Sequence, residues 1–246
     1  MKSPWIVQLA MFAMAIFGGV GTAFADISYS FTTLDVPGAS VTQASGVNSG
    51  DQIVGDFVDD AFGLTHGFLY SDGSFTTIDV PGASRTIAEG INVSGQIVGG
   101  FEGGIGNHGF LYSGGSFSTI DYQGINGETS ATGINDSGQI AGEFAFSPGV
   151  GGCFLDSGGS FTTIAVPGGS YTFARGINDK GEIVGFYFDA AMIGHGFLEN
   201  GGGFTTINVP GAQFTDAVGI NEADHYATLL LDKLYLNVEN YRRIST

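Results

Sequence analysis

The sequence predicts an all-β protein, a five-bladed β-propeller of four-stranded antiparallel blades, on three observations. The 246-residue chain repeats one unit of about 43 residues five times, and each unit holds four short strand patterns. Gly and Phe are abundant, with 43 and 21 residues, whereas charged residues make up only 13%. A fixed period of ~20–50 residues indicates a repeat fold, and four strands in ~40–45 residues match one propeller blade.

Two patterns define the repeat. Phe-Ser/Thr-Thr begins at Phe31, Phe75, Phe117, Phe161 and Phe204, with spacings of 44, 42, 44 and 43 residues. Thr-x-Ala-x-Gly-Ile/Val-Asn recurs in all five units, with its asparagines at Asn48, Asn92, Asn135, Asn178 and Asn221. A parallel solenoid would use shorter rungs and a β-trefoil would need three repeats, so the propeller is the better prediction.

Each unit predicts four strands in order. The first is Thr-x-Ala-x-Gly-Ile-Asn, whose small residues share one face at period two, as the crowded innermost strand of a blade requires. An Asn-x-x-Gly turn leads to the second strand, Gly-Gln-Ile-Val-Gly-x-Phe at 95–101. The third is His-Gly-Phe-Leu-Tyr at 66–70 and 108–112, and the fourth is Ser-Phe-Thr-Thr-Ile-Asp-Val, which Pro-Gly ends.

The two ends depart from the repeat. Lys2, an apolar run from Trp5 to Val20 and the small-x-small triplet Ala23-Phe24-Ala25 predict a signal peptide over 1–25, which leaves 26–246 as a single domain of the periplasm or the cell exterior. The last repeat is atypical, as terminal repeats often are. We expect the N-terminal strand 30–36 to complete the blade formed by 215–241, with 242–246 as the alternative edge strand.

The charge balance excludes some partners. The net charge of −17 becomes −18 after cleavage, because Lys2 is lost and all 24 acidic residues remain. Such a field repels phosphate backbones and anionic lipids, so we expect no nucleic acid, no membrane insertion after cleavage, and a monomer. A single cysteine forms no intramolecular disulfide, so Cys153 is expected to be buried and the fold to need no cofactor.

The chain resembles the HAF-repeat family of bacterial exported proteins. The resemblance rests on His66-Gly67-Phe68, His108-Gly109-Phe110 and His195-Gly196-Phe197, and on Gly-Ile-Asn-x-x-Gly-Gln-Ile-Val-Gly. It covers nearly all of residues 26–246. The fourth copy reads Gly152-Cys153-Phe154, and the fifth has Lys233 at the histidine position. The resemblance implies an extracellular or periplasmic location and implies no reaction.

Neither the histidines nor the acidic loop predicts a metal site. The histidines recur one per unit at the start of strand three and two units lack them, whereas metal ligands converge to ~2 Å around one ion, so structural hydrogen bonding is the better interpretation. Asp56, Asp59 and Asp60 are placed in the first long loop, and their spacing matches no calcium loop. We interpret them as a solvated acidic loop.

Function is predicted at the positions that vary. Glu89, Arg175 and Asp216 are the charged variable residues of the first strands, and Tyr171 is an aromatic residue nearby, so these four are the candidate ligand contacts. Variable loops at 58–65, 102–107, 145–151 and 188–194 share the same face. The sequence therefore predicts a binding module for a glycan or a protein, and no catalytic residue.

Two alternatives stay open. One is a carbohydrate-active enzyme that uses carboxylates at the axial mouth, which would require two of Glu89, Glu128 and Asp216 to share one pocket at catalytic separation. The other is a purely structural surface protein, which would have no ligand pocket.

Overall fold

The computed structural model describes residues 32–124, 128–147, 150–222 and 226–230, and its strands follow the repeat. The first two units contain β1 (Ala39–Val47), β2 (Ile53–Asp59), β3 (Thr65–Ser71), β4 (Ser74–Ile78), β5 (Arg85–Ile91), β6 (Ile97–Glu102), β7 (Asn107–Ser113) and β8 (Ser116–Ile120). The next two contain β9 (Glu128–Ile134), β10 (Ile140–Ser147), β11 (Val150–Ser157), β12 (Ser160–Ile164), β13 (Tyr171–Ile177), β14 (Ile183–Phe188), β15 (Gly194–Asn200) and β16 (Gly203–Ile207). The last unit contains β17 (Thr215–Ile220) and β18 (Tyr226–Leu230). The predicted signal peptide lies outside the described residues.

The strands form antiparallel sheets in sequence order, as predicted. Four sheets have four strands each, β1–β4, β5–β8, β9–β12 and β13–β16, and β17 pairs with β18 in a fifth sheet of two described strands. This is a β-propeller arrangement. The only helical segment among these residues is the 3-10 turn Tyr122–Gly124, so no described helix is long and apolar enough to cross a membrane.

The fourth strand is shorter than predicted. It ends at Ile78 in the first unit instead of continuing through Asp79 and Val80. The Val80 backbone N–H donates to Thr86 Oγ1 at 3.2 Å and therefore leaves the strand ladder to fasten the crossing to the next sheet. The same valine or tyrosine N–H to threonine bond recurs in every unit, at Val36–Thr42, Tyr122–Thr129, Val166–Thr172 and Val209–Thr215. It explains why the threonine of the repeat is invariant along the chain.

The core lies between successive sheets. Val54 and Ile78 of the first sheet pack against Ala88, Ile97 and Phe110 of the second, and equivalent clusters join the later sheets. The phenylalanine of the His-Gly-Phe segment is fully buried in every four-stranded sheet, at Phe68, Phe110, Phe154 and Phe197. Cys153 is buried as predicted, and burial raises the pKa of its thiol.

Glycine allows the first strands to lie side by side. A Cβ at Gly90 would stand 3.2 Å from Gly133 Cα, and a Cβ at Gly46 would stand 2.8 Å from the Glu89 carbonyl oxygen. Because larger side chains would separate these backbones, the Thr-x-Ala-x-Gly pattern records a close approach of neighbouring sheets. This confirms that the first strand is the innermost one.

The Asn-x-x-Gly turns join neighbouring units. Asn92 Oδ1 accepts from the backbone N–H groups of Ser94 and Gln96, and its Nδ2 donates to Gln96 Oε1 and to the Asn135 carbonyl of the next unit. We call the equivalent set the turn belt, and it consists of Asn48, Asn92, Asn135 and Asn178 with Gln52, Gln96, Gln139 and Glu182. The predicted left-handed turn residue is present, for example Gly95 with φ 72°.

The join between the last and first units falls largely outside the described residues. A Cβ at Gly219 would meet no described atom within 4 Å, whereas every earlier glycine at this position meets the next unit. Residues 32–36 form no strand, and Leu34 and Val36 pack against the first sheet as Ile78 and Val80 pack against the second. The predicted closure by 30–36 and 215–241 depends on residues that are not described.

Candidate functional site

The first strands direct their variable residues toward one cleft. Each contains a β-bulge between its alanine and its glycine, so that Glu89 of β5 and Arg175 of β13 are the extra residues of their strands. A bulge bends the strand and redirects a side chain, and bulges recur next to binding and active sites. The alternate residues Thr86 and Ala88 face the core, so the variable residues are on the opposite face.

We call this site the axial cleft. Its volume is about 250 Å³, and it opens on the face that carries the crossings and the β2–β3-type loops. Its charged and polar lining consists of Arg85, Glu89, Glu102, Asn107, Glu128, Ser130 and Glu143. Its apolar lining includes Ile87, Phe101, Phe144 and Phe173. Residues from three consecutive units therefore meet in one concave surface.

Arg175 holds the acidic residues on one side of the cleft. Its Nε donates to Asp216 Oδ2 at 3.2 Å, and its Nη1 lies 3.5 Å from Glu143 Oε1. The guanidinium carbon lies 5.0 Å from the centroid of the Phe186 ring, within cation–π range. One arginine thus joins carboxylates from β10 and β17 above an aromatic ring.

The negative charges of the carboxylates in this region are only partly balanced by nearby positive charges. Burial raises the pKa of Glu143 to about 7, opposed by Arg175 and reinforced by the negative charges of Glu89 and Asp216. Burial also raises the pKa of Glu89, and Asp56 adds to the effect while Arg175 and Arg85 oppose it. The pKa values of Asp56 and Asp216 are raised by burial as well. Both arginines together do not neutralise the acidic residues around them.

Two acidic residues have carboxylate oxygens without a hydrogen-bond partner within the described part of the chain. Asp216 is 5% exposed, and its Oδ1 accepts no hydrogen bond there. The Glu89 carboxylate forms no hydrogen bond or ion pair with any described residue. Glu128 in contrast accepts a hydrogen bond from Asn107 Nδ2. The unpartnered buried oxygen of Asp216 carries a desolvation cost, whereas the unpartnered carboxylate of Glu89 lies in the lining of the cleft, where a donor from outside the chain can reach it.

The structure brings together three of the four predicted contacts. Glu89 lines the cleft, and Arg175 and Asp216 form an ion pair at its border. Tyr171 begins β13, its ring packs near Phe173 and Phe188, and it does not line the cleft. The cleft also brings Glu89 and Glu128 into one pocket, which is the first part of the condition for the enzyme alternative, the second being their catalytic separation.

The sequence reasoning missed Glu143, Arg85 and Asp56. Glu143 pairs with Ser130 and Asp56 pairs with Gln43 in the same register, so both occupy the variable position of Gly-x-Phe in the second strand. That position varies as Asp56, Gly100, Glu143 and Phe186, which is a signal comparable to the one in the first strand. Asp56 is therefore a residue of β2 beside the axial cleft, and its placement in the first long loop was wrong.

The repeated histidines have structural partners. His66 Nδ1 lies 2.8 Å from Asp79 and its Nε2 lies 3.1 Å from Asp59, while the ring stacks on Phe57. His108 and His195 repeat this arrangement with Asp121 and Asn208. The described residues contain no group of three His, Cys, Asp or Glu side chains that could hold a metal ion. Hydrogen bonding, as interpreted from the sequence, describes these side chains.

Asp59 also shapes the first long loop. Its Oδ1 accepts from the backbone N–H groups of Phe62 and Gly63, and Asp189 does the same for Ala191 and Ile193 in the fourth unit. The loop tips carry exposed apolar residues, including Phe62, Ile105 and Met192. Asp59 and Asp60 thus have different roles, since only Asp59 orders the loop.

Comparison with solved structures finds partial similarity at low sequence identity. No protein-family model matches the chain, and no curated protein matches its sequence. The β-propeller domain of the trilobed protease from Pyrococcus furiosus is similar over 65% of this chain and 50% of its own, with 15% identity and a TM-score of 0.46. Acylaminoacyl peptidase from Pyrococcus horikoshii is similar over 68% and 27%, with 18% identity and a TM-score of 0.48. The fucose-specific lectin from Aleuria aurantia is similar over 70% and 65%, with 14% identity and a TM-score of 0.44.

This chain therefore spans about half of the length of the first of these structures and about a quarter of the second.

Proposed function

We propose that this chain is an exported five-bladed β-propeller that acts as a binding module, with the axial cleft as its ligand site. The observation that carries the proposal is the convergence of Glu89, Glu128 and Glu143 from separate positions of the repeat in one concave, partly aromatic surface. Concave sites with aromatic walls and a few polar groups are where proteins bind small ligands. A purely structural protein would have no reason to keep undercompensated carboxylates there.

The export and the fifth blade are parts of this proposal. The signal-peptide pattern at 1–25 and the resemblance to the HAF-repeat family support a periplasmic or extracellular location. The pairing of β17 with β18 and the hydrogen bond from Asn178 Nδ2 to the Asn221 carbonyl support a fifth unit that continues the ring.

A binding screen with a site variant tests the proposal. Purified 26–246 is screened on a glycan array and against immobilised envelope extracts, and every hit is repeated with Glu89→Gln. We expect at least one hit to lose about tenfold or more in affinity in the variant, since a hydrogen bond to a charged group contributes ~1.5–3 kcal/mol. A blank result on both screens, or hits that the substitution leaves unchanged, would refute the cleft as the ligand site.

A second candidate is a glycosidase-type hydrolase at the same cleft, and the pKa of Glu143 favours it. A carboxyl group with a pKa of about 7 is half protonated at neutral pH, so Glu143 has the property of a general acid. Glu89 or Glu128 would then act as the nucleophile or the base, because a glycosidase needs two carboxylates that flank the scissile bond.

Hydrolysis assays separate the two candidates. With a panel of aryl glycosides and oligosaccharides, the hydrolase predicts turnover that Glu143→Gln lowers by about 10²-fold or more, since general acid catalysis contributes ~10²–10⁴. The binding module predicts no turnover with any member of the panel and a ligand that is released intact.

A further inference from the structure

The charge of the axial cleft indicates what kind of ligand it accepts. Asp56, Glu89, Glu143 and Asp216 interact electrostatically there with only two cations, Arg85 and Arg175. Glu102 and Glu128 add negative charge at the rim. An anionic ligand would be repelled by this surface, and a neutral one would leave the acidic residues uncompensated.

The contacts of Arg175 show the chemistry that the cleft stabilises. Its guanidinium lies against Asp216 and Glu143 and above the ring of Phe186. A planar guanidinium is thus stabilised here by carboxylates and an aromatic face together. Glu89, in the same cleft as Phe101 and Ile87, offers a carboxylate and apolar walls, and neither Arg85 nor Arg175 forms a hydrogen bond or close ion pair with it.

Asp216 adds uncompensated negative charge behind Glu143, which lines the cleft. The side chain is almost fully buried, Oδ2 is paired with Arg175, and Oδ1 has no partner among the described residues. A metal ion is a poor match for the cluster, since no three of the described His, Cys, Asp and Glu side chains converge on one point. An ammonium or guanidinium group instead donates several hydrogen bonds over several ångströms.

We infer that the axial cleft binds an organic cation, namely a protonated amine or a guanidinium carried on a small ring-shaped or aliphatic body. This inference rests on the proposed function and names its ligand class. The amine donates to Glu89, and the body of the ligand packs on Phe101 and Phe173. The cleft volume of about 250 Å³ admits a group of the size of one or two sugar rings.

Binding is measured by calorimetry with a matched pair of probes, the tetrasaccharide of glucosamine and its fully N-acetylated counterpart. The pair differs in the amine charge, because acetylation removes it. We expect the free amine form to bind about tenfold or more tightly, and its affinity to fall as salt is raised from 0.05 to 0.5 M. Measurable binding of both forms with equal affinity would overturn the inference.

Agmatine separates the sources of the cation. It carries an amine and a guanidinium without a sugar ring, so binding of agmatine together with the glucosamine tetrasaccharide supports a general cation site. If agmatine binds and the glucosamine tetrasaccharide does not, the cation class is still supported, and the ligand resembles a basic amino-acid side chain and not an amino sugar. Binding of only neutral glycans refutes the inference.

Variants and proton release locate the effect. Glu89→Gln is expected to lower the affinity for the amine about tenfold, whereas Asp72→Asn, which makes the same change in net charge at an exposed turn, leaves it unchanged. At pH 7 the amine should displace protons from Glu143, which faces Arg175, Glu89 and Asp216, and the heat should depend on the buffer used. The absence of both effects would overturn the inference.

The inference and the proposed function fail differently. If a neutral glycan binds and its affinity falls in Phe173→Ala, the cleft is a ligand site and only the cation class is wrong. If no probe binds and the glycan and envelope screens are blank, both the inference and the proposed function are wrong.

Discussion

The turn belt and the axial cleft lie at opposite ends of the same first strands, and they treat polar groups in opposite ways. In the turn belt the first four units supply the same asparagine, and the oxygen and nitrogen of its side chain are both bonded, as Asn92 shows. In and beside the axial cleft the units supply different residues, and the Glu89 carboxylate and Asp216 Oδ1 lack hydrogen-bond partners among the described residues. The repeated end serves folding, and the varied end is the part available for binding.

This difference predicts whether a substitution lowers or raises the stability of the fold. Removing a polar group from the turn belt should destabilise the fold, because its neighbours lose their partners. Neutralising an acidic residue in the axial cleft should cost nothing in stability or increase it, because the buried charge is undercompensated.

The largest expected effect is at the second-strand glycine that lies opposite the bulge of the first strand. A Cβ at Gly185 would stand 1.9 Å from the Phe173 carbonyl oxygen, so Gly185→Ala must displace backbone. We expect a loss of about 3 kcal/mol or more in the free energy of unfolding, measured by urea denaturation. Gly203→Ala is the control, since its nearest atom would be 3.4 Å away, and it should change stability by less than about 0.5 kcal/mol. Similar losses in both variants would contradict the crowding argument.

The second effect tests the turn belt. Asn92→Asp keeps the acceptor oxygen but replaces the amide that donates to Gln96 and to the Asn135 carbonyl, and it buries a charge. We expect a loss of about 2–3 kcal/mol in thermal or urea unfolding. Asn208→Asp makes the same change beside His195, at a position where other units have Asp79 and Asp121. Asn208→Asp should leave the free energy of unfolding nearly unchanged. If Asn92→Asp also leaves it unchanged, the contrast between the turn belt and the axial cleft is wrong.

The third effect is the pH dependence of the axial cleft. The pKa of Glu143 is about 7 in the folded state and about 4.5 in the unfolded state, so the folded state binds more protons between these values. Stability should therefore fall as pH rises from about 5 to about 8, by on the order of 2 kcal/mol from this group.

His66 contributes in the same direction, because hydrogen bonds to Asp79 and Asp59 raise its pKa against the opposing effect of burial. Comparison of the wild type with Glu143→Gln isolates the glutamate. The variant should be more stable than the wild type at pH 8, and its stability should depend much less on pH. An unchanged dependence on pH would show that ionisation of Glu143 does not destabilise the fold.

The smallest global effect is expected in the first long loop. Asp59→Ala removes the acceptor of the Phe62 and Gly63 N–H groups, so we expect faster chymotryptic cleavage at Phe62. Because the loop is exposed, global stability should change little. Asp60→Ala is the matched control, because only the backbone of Asp60 is bonded, to the Gly38 carbonyl. Equal cleavage rates in the two variants would contradict the role of Asp59.

The sequence predicted the fold well because each repeated residue satisfies a local structural requirement, such as a turn conformation, a close contact, a hydrogen bond or burial. Glycine permits the turn at Gly95 and the contact at Gly90, threonine holds the crossing at Thr86, and alternation places Ala88 in the core. The limits of the fourth strand were missed, since the bond from Val80 to Thr86 competes with the strand ladder and is visible only in three dimensions.

The sequence by itself therefore determined the repeat, the innermost strand, the turns and three candidate residues of the site. Only the tertiary structure decided which variable positions meet, because Glu143 and Asp56 reach the axial cleft through strand pairing and the packing of separate units. A period along the chain specifies local contacts. The angle at which the units pack around the axis sets the distances between Glu89, Glu143 and Asp216, and no single repeat encodes that angle.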